Sequence, residues 1–319
     1  MKNIKHLFYL LNPSDFIVTV FYSILTLLNI IFYSRIPYAN LLILANIFLF
    51  LFISCVAYFD DDDDENITIW THFHRWYIVP LIFLSFKEVY IMLKPIRPVD
   101  FDYILIQIDR FLLGGDPTHF LHQISNPVLT EVLQLAYATF FFLPIMLGIE
   151  LLIKKQTNEF YFATFLVLYG FFLSYIGYLI VPAIGPRFTL HNFSTINQDL
   201  PGLFFTKYLR DYVNAGESIP KGTLNPANFV QRDVFPSGHT QMTLIIMYLS
   251  VKLNVKLKPF FLIVGTLLIF STVYLWYHYV IDVIGGVIFM IFTVWSGYYI
   301  YNWWQLKRGK NEFRYKKFN

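Results

Sequence analysis

The chain has 319 residues, of which 56% are hydrophobic, 20% aromatic and only 14% charged. Soluble domains average about 25% charged residues, so this composition excludes an ordinary soluble protein and favours one whose main solvent is lipid. The formal net charge of +3 is small and no basic stripe lies on a soluble element, so we expect no nucleic-acid partner.

About eight apolar stretches have the length of roughly 20 residues that a helix needs to cross the hydrocarbon core of a bilayer. They cover residues 16–34, 40–59, 76–93, 132–153, 160–181, 239–256, 259–276 and 279–302. Lys252 and Lys256 shorten the apolar part of the sixth stretch, which favours a buried bundle helix over one that faces lipid. The predicted fold class is all-α, a polytopic membrane helical bundle.

The distribution of lysine and arginine predicts the orientation of these spans. The short loops on one side and the C-terminal tail carry an excess of both residues, and such segments stay cytoplasmic. We therefore expect both termini in the cytoplasm and the long loops 94–131 and 182–238 on the opposite face. No small-residue cleavage site follows the first apolar stretch, which predicts an anchor rather than a signal peptide.

Loop 94–131 contains a segment with helical periodicity, in which Asp102 and Asp109 lie off the apolar face and two glycines, at 114 and 115, end the run. The apolar face consists of Ile104, Ile108, Phe111 and Leu112. This pattern predicts an amphipathic helix that lies along the membrane surface.

The most specific motif is Pro236-Ser237-Gly238-His239, which opens the sixth stretch. Pro236 and Gly238 favour a tight turn, and Ser237 is a good N-cap for the helix that follows. The free N–H groups and positive dipole end of such a helix suit a phosphate oxyanion. His239 lies at the same point, where it can give a proton to a leaving group.

A second polar segment opens the last stretch. His278 and Asp282 are four residues apart, so on a helix they share one face, and the carboxylate can orient the imidazole. An oriented imidazole is what a histidine nucleophile needs, although a structural hydrogen bond between packed helices would use the same pair. Gly285-Gly286 would let a neighbouring helix approach closely.

Together these residues resemble the phosphatidic acid phosphatase type 2 superfamily, whose relatives include lipid phosphate phosphatases and sphingolipid head-group transferases. Its second signature, Pro-Ser-Gly-His, is present in full at residues 236–239. Its third signature, Ser-Arg, five residues, His, three residues, Asp, aligns with Ser271, Thr272, His278 and Asp282, so Thr272 replaces the arginine. The resemblance covers residues 130–302 and implies a six-helix catalytic core.

The first signature, Lys, six residues, Arg-Pro, is matched only by Arg187, with Ile180 and Phe188 at the lysine and proline positions. The branch that includes inositol phosphorylceramide synthases also lacks the third signature's arginine, and the chain resembles that branch. Fewer fixed cations would suit a phosphodiester better than a dianionic monoester. The residues that could fill the gap are Lys94, Arg97, Lys207, Arg210 and Arg232.

The resemblance implies that His278 attacks phosphorus with the help of Asp282, and that His239 protonates the leaving oxygen. The phosphate-binding residues it implies are Arg187, Ser237 and Gly238. It implies neither a metal nor a cofactor. The acidic run 60–65 with His72 and His74 has no recognisable ligand spacing, so we interpret the run as a solvated loop rather than a metal site.

The first functional hypothesis is a membrane lipid phosphate phosphatase that acts through a phosphohistidine at the non-cytoplasmic face. The alternatives are a phospho-head-group transferase and a non-enzymatic membrane transporter with a degenerate site. We predict an N-terminal transmembrane pair (1–75), a catalytic membrane domain (76–302) and a basic cytoplasmic tail (303–319). The expected location is a bacterial inner membrane, with a lipid phosphate and membrane lipids as partners; the sequence leaves the oligomeric state open.

Overall fold

The computed structural model describes residues 9–60 and 67–315. These residues form helices joined by turns, without a β-strand among them, which confirms the predicted all-α fold class. In chain order the α-helices are α1 (Pro13–Ile31), α2 (Ala39–Phe59), α3 (Ile69–Trp76), α4 (Ile78–Ile96), α5 (Asp102–Leu113), α6 (Pro117–His122), α7 (Pro127–Ala138), α8 (Phe142–Ile153), α9 (Thr157–Ile180), α10 (Pro186–Thr189), α11 (Ile196–Asp199), α12 (Thr206–Gly216), α13 (Gly238–Lys252), α14 (Lys258–Tyr274) and α15 (Val280–Lys307).

Among the described residues, 5 helical segments have the length and apolar composition of a membrane span: α1, α2, α3 joined to α4, α9 and α15. Helices α7 and α8, bent by 54° at a short break, make a sixth if they are one span. Helices α13 and α14 have only 15 and 17 residues. A helix of 15 residues rises about 23 Å, less than the hydrocarbon thickness of about 30 Å. Every predicted stretch is therefore helical, but the sixth and seventh are shorter than a span.

The chain divides into two compact units. Unit 1 comprises residues 1–98, 150–172 and 292–319, and unit 2 comprises residues 99–149 and 173–291. Helices α9 and α15 contribute residues to both units. The domain boundaries inferred from the sequence, after residues 75 and 302, stay predictions.

Unit 1 contains a buried polar cluster around His74 in α3. The His74 ring nitrogens lie 2.8 Å from Asp15 Oδ2 and 2.6 Å from Asp60 Oδ2, and the Tyr77 hydroxyl donates to Asp15 over 2.6 Å. Asp60 is buried rather than solvated, because its contact with His74 offsets the cost of removing the carboxylate from water. The rest of the acidic run lies outside the described residues. Within residues 9–60 and 67–315, no group of three or more His, Cys, Asp or Glu side chains is arranged to hold a metal ion.

In unit 2, α5 is the amphipathic helix expected from loop 94–131. It ends at Gly114, which adopts a φ of 75° that favours glycine. The predicted apolar face is turned outward, with Phe111 88% exposed, whereas Asp102 and Asp109 are buried. The helix and its end are as predicted, and its placement along the membrane surface stays a prediction.

The core of unit 2 encloses the turn between α14 and α15, which carries Trp276 at a positive φ of 66°. Its buried members are Leu133, Tyr137, Ile196, Leu200, Tyr274, Leu275, Trp276 and Tyr277. Four of these eight side chains are aromatic, and Tyr137 stacks on Tyr277 with ring centroids 4.4 Å apart. Close packing on both sides of the turn fixes the backbone that leads directly into His278.

Candidate active site

The structure brings together two histidines that are far apart in sequence. His239 lies in the first turn of α13, and the Ser237 hydroxyl caps that helix by accepting from the Thr240 N–H over 3.2 Å, which confirms the predicted N-cap. His278 immediately precedes α15. Its Nε2 lies 3.4 Å from His239 Nδ1, with ring centroids 5.6 Å apart in an edge-to-face arrangement.

The other ring nitrogen of His278 faces oxygen acceptors. Nδ1 lies 3.0 Å from the Val234 carbonyl oxygen and 3.5 Å from Asp282 Oδ2. A nitrogen between two acceptors carries the proton, which leaves the Nε2 lone pair directed at His239. The nearest acceptor is thus the Val234 carbonyl rather than Asp282, which the sequence had indicated. Asp282 Oδ2 instead accepts the Tyr279 N–H over 2.7 Å.

Burial also sets the protonation state of His278. Desolvation lowers the pKa of its imidazole to about 3, and the positive charge of Arg187 acts in the same direction. The ring is therefore neutral at pH 7. A neutral imidazole whose Nε2 carries a lone pair is the form in which histidine acts as a nucleophile.

Arg187 is held close to this pair by its backbone and by its side chain. The Arg187 N–H donates to the Trp276 carbonyl over 3.1 Å, and the guanidinium lies 4.7 Å from the centre of the Tyr277 ring. Gly185 makes this approach possible, because it adopts a φ of 90° and a Cβ there would lie 2.9 Å from the Tyr277 carbonyl oxygen. The guanidinium is buried, forms an ion pair with Glu217, and donates to Asn214 Oδ1 over 3.0 Å.

The start of α13 packs tightly against α15. A Cβ at Gly286 would lie 2.7 Å from the Ser237 carbonyl oxygen, so only glycine lets the two helices come this close. This confirms the predicted role of Gly285-Gly286 in helix packing. Gly238 lies against the Tyr178 hydroxyl, and that hydroxyl forms hydrogen bonds with the Gly238 backbone and with Ser174. The motif residues 236–239 are thus fixed by neighbours on α9 and α15.

A protein-family model described as the PAP2 superfamily matches residues 104–296, which is more than half of the chain. The chain belongs to the PAP2 superfamily. The matched range includes every residue predicted for the site, and membership supports a phosphatase-type function. No match was found among curated proteins or solved structures.

Two candidate cations of this PAP2 protein are engaged elsewhere in unit 2. Arg210 donates to the carbonyls of Ile196 and Leu200 and to Asn197, and Arg232 donates to Asp100 over 2.7 Å. Both side chains therefore serve structural contacts. Lys94 and Arg97 belong to unit 1, and Lys207 is exposed on α12.

Two aspartates of α5 bind backbone N–H groups next to the site residues, a role that the sequence did not reveal. Asp109 accepts the N–H groups of Val280 and Ile281 over 2.8 and 2.7 Å, so it caps α15 next to His278. Asp102 accepts the Gly185 N–H over 2.8 Å and the Tyr279 hydroxyl over 2.8 Å. Burial raises the pKa of both carboxyls, and the backbone hydrogen bonds oppose that rise.

The sequence signal for these residues is their spacing. Asp102 and Asp109 are seven residues apart, which places both on one face of α5, opposite the apolar stripe. In the PAP2 protein that polar face points to the backbone of both site segments rather than to water. The two carboxylates connect the Arg187 segment and the His278 segment to a single helix.

Replacing Asp109 by asparagine is expected to lower kcat about 10–100-fold, because a charged acceptor shared by two N–H groups is lost and His278 is displaced. The measurement is kcat of the purified variant, with its thermal unfolding midpoint as a check on folding. Asp116→Asn is the matched control, since Asp116 pairs with the half-exposed Arg110 over 2.8 Å. An equal fall in both variants would contradict a positioning role for Asp109.

Proposed function

We propose that this protein is a membrane lipid phosphate phosphatase that works through a phosphohistidine intermediate. The observation that carries the proposal is the facing pair of histidines, with His278 Nδ1 3.0 Å from the Val234 carbonyl oxygen and His278 Nε2 3.4 Å from His239 Nδ1. A structural hydrogen bond between helices would not need a second imidazole at that nitrogen. Membership of the PAP2 superfamily supports the same class of chemistry.

In the first half-reaction, His278 Nε2 attacks phosphorus, a nitrogen–phosphorus bond forms, and the bond from phosphorus to the lipid oxygen breaks. When the phosphate anion is bound, His239 carries a proton on both ring nitrogens and gives one to the leaving oxygen, so the lipid departs as an alcohol. In the second half-reaction, water attacks phosphorus, passes a proton to His239, and releases phosphate with a free His278. Asp282 and the Val234 carbonyl hold the Nδ1–H side of His278 throughout.

The phosphate oxygens need positive or N–H partners in the transition state. Arg187 is suited to this role, because its charge is buried near both histidines and a planar guanidinium binds two oxygens at once. The start of α13 at Ser237 and Gly238 adds the positive end of a helix dipole.

A phospho-head-group transferase is the second candidate, and one observation favours it. Glu217 pairs with Arg187, so much of the positive charge of that guanidinium is already balanced. A site with little excess positive charge fits a singly charged phosphodiester better than a dianionic monoester. A lipid alcohol would then replace water in the second half-reaction.

The membrane topology belongs to the same proposal. The apolar helices make this a membrane protein. The excess of lysine and arginine in the short loops and the tail supports cytoplasmic termini, with the site on the opposite face of the membrane. The membrane we propose is a bacterial inner membrane.

The test is phosphate release by the detergent-purified protein from a panel of lipid phosphate monoesters. Release of phosphate is the expected result. If no phosphate is released, but a phospholipid donor and a lipid alcohol yield a new phosphodiester, the transferase is correct and the phosphatase proposal fails. Inactivity in both assays would leave a non-enzymatic membrane protein.

A further inference from the structure

Unit 2 exposes three consecutive large apolar side chains in the long loop between α9 and α13. Leu203, Phe204 and Phe205 are 50%, 74% and 58% exposed. We call these residues the 203–205 tip. In water such a run would gain free energy by turning inward, at about 25 cal/mol for each Å² of apolar surface buried.

The tip is prevented from turning inward by a carboxylate of α7. Glu131 accepts hydrogen bonds from the backbone N–H groups of Leu203, Phe204, Phe205 and Thr206 and from the Thr206 hydroxyl, over 2.6 to 3.2 Å. Hydrogen bonds to a charged acceptor are about twice as strong as neutral ones. The backbone of the tip is therefore fixed, and its side chains are held outward.

Glu131 also places the tip next to a lipid-facing surface. Helix α7 is the first helix of the bent apolar pair α7 and α8, and its outward face carries Val128, Val132 and Leu135, which are 59%, 43% and 43% exposed. These residues recur at helical spacing, as expected for a face in contact with lipid. Glu131 lies in the second turn of that helix, so the tip is attached near the start of the apolar pair.

The tip is connected to Arg187 through α12. That helix begins at Thr206, which Glu131 binds, and ends near Asn214 and Glu217, which hold the Arg187 guanidinium. In between, Arg210 fixes α12 to the carbonyls of Ile196 and Leu200. One short helix thus joins the exposed apolar tip to the phosphate-binding arginine of the proposed site.

We propose that the 203–205 tip inserts into the lipid leaflet on the side of the site, and that α12 transmits this anchorage to Arg187. The tip lies at the boundary between lipid head groups and acyl chains, where aromatic side chains are favoured. Its continuity with the exposed face of α7 distinguishes it from a docking surface for a second protein.

The contact of the 203–205 tip with lipid can be tested without an enzyme assay. The chain has a single cysteine, Cys55, so Cys55→Ser with Phe204→Cys gives one labelling site for a nitroxide. In vesicles of phosphatidylethanolamine and phosphatidylglycerol, a label at 204 is expected to collide about 3–10 times more often with oxygen than with a water-soluble nickel chelate. Lys221→Cys, at an exposed polar turn, is the control with the reverse preference. A label at 204 that prefers the nickel chelate overturns the proposal.

A second test rests on the proposed function and uses a ratio of activities. Phe204→Ser with Phe205→Ser is expected to lower kcat/KM for a long-chain substrate in vesicles about tenfold relative to a short-chain monomeric substrate. Phe204→Leu with Phe205→Leu keeps the surface apolar and is expected to restore the ratio. An equal loss on both substrates would indicate a structural defect and count against the membrane contact. If wild type is inactive on both, the proposed function fails, and the nitroxide measurement still decides the contact.

Discussion

Replacing His278 by glutamine is expected to abolish phosphoryl transfer, with a fall in kcat/KM of about 10⁴-fold or more. Glutamine has nearly the reach of histidine and keeps a polar amide beside the Val234 carbonyl, which His278 Nδ1 meets at 3.0 Å. It offers no nucleophilic nitrogen at the position of Nε2. The substitution therefore removes the attacking atom and keeps much of the local packing.

The measurement for His278→Gln is phosphate release in detergent, together with rapid acid-free quenching to detect a phosphorylated protein. Wild type is expected to show an acid-labile, base-stable phosphoryl group on the chain, and the variant none. His119→Gln is the control, since His119 is a half-exposed histidine that lies outside the proposed site. A His278→Gln protein that folds, turns over and becomes phosphorylated would refute a phosphohistidine at this residue.

The motif residues could be predicted because each lies on a short, local pattern. Ser237 is an N-cap by residue type and position, and Gly286 is a contact point because α13 begins against it. The spacing of His278 and Asp282 was informative about their proximity. It could not show that Val234 provides the nearer acceptor, because Val234 is more than forty residues away in sequence.

The partners of the supporting residues could not be predicted, since they are backbone groups of distant segments. Asp109 and Glu131 satisfy N–H groups that are 171 to 172 and 72 to 75 residues away. A carboxylate on the polar face of a helix has many possible partners, and the sequence does not distinguish solvent from a distant helix N-terminus. The length of α13 differs from the predicted stretch 239–256 for a local reason: the helix ends at Lys252, and Asn254 two residues later adopts a positive φ of 47°.

The ion pair between Arg187 and Glu217 leads to the second large effect. Arg187→Lys is expected to lower kcat/KM about 10²-fold, because lysine keeps the charge but cannot contact Asn214, Glu217 and a phosphate oxygen from one planar fork. A structural role alone would lower the unfolding midpoint, whereas a phosphate contact also raises KM. The measurement is therefore kcat and KM separately, alongside thermal unfolding.

Glu217→Gln is the companion variant, and it separates the two candidate functions by charge. Removing the carboxylate leaves Arg187 with more free positive charge, which favours a dianionic monoester over a singly charged phosphodiester. The ratio of kcat/KM for monoester to that for diester is expected to rise about tenfold, equivalent to about 1.4 kcal/mol. If Arg187→Lys lowers kcat/KM and Glu217→Gln raises the monoester-to-diester ratio, Arg187 binds the phosphate and Glu217 tunes its charge. A ratio that neither variant moves would mean that Arg187 does not contact the phosphate.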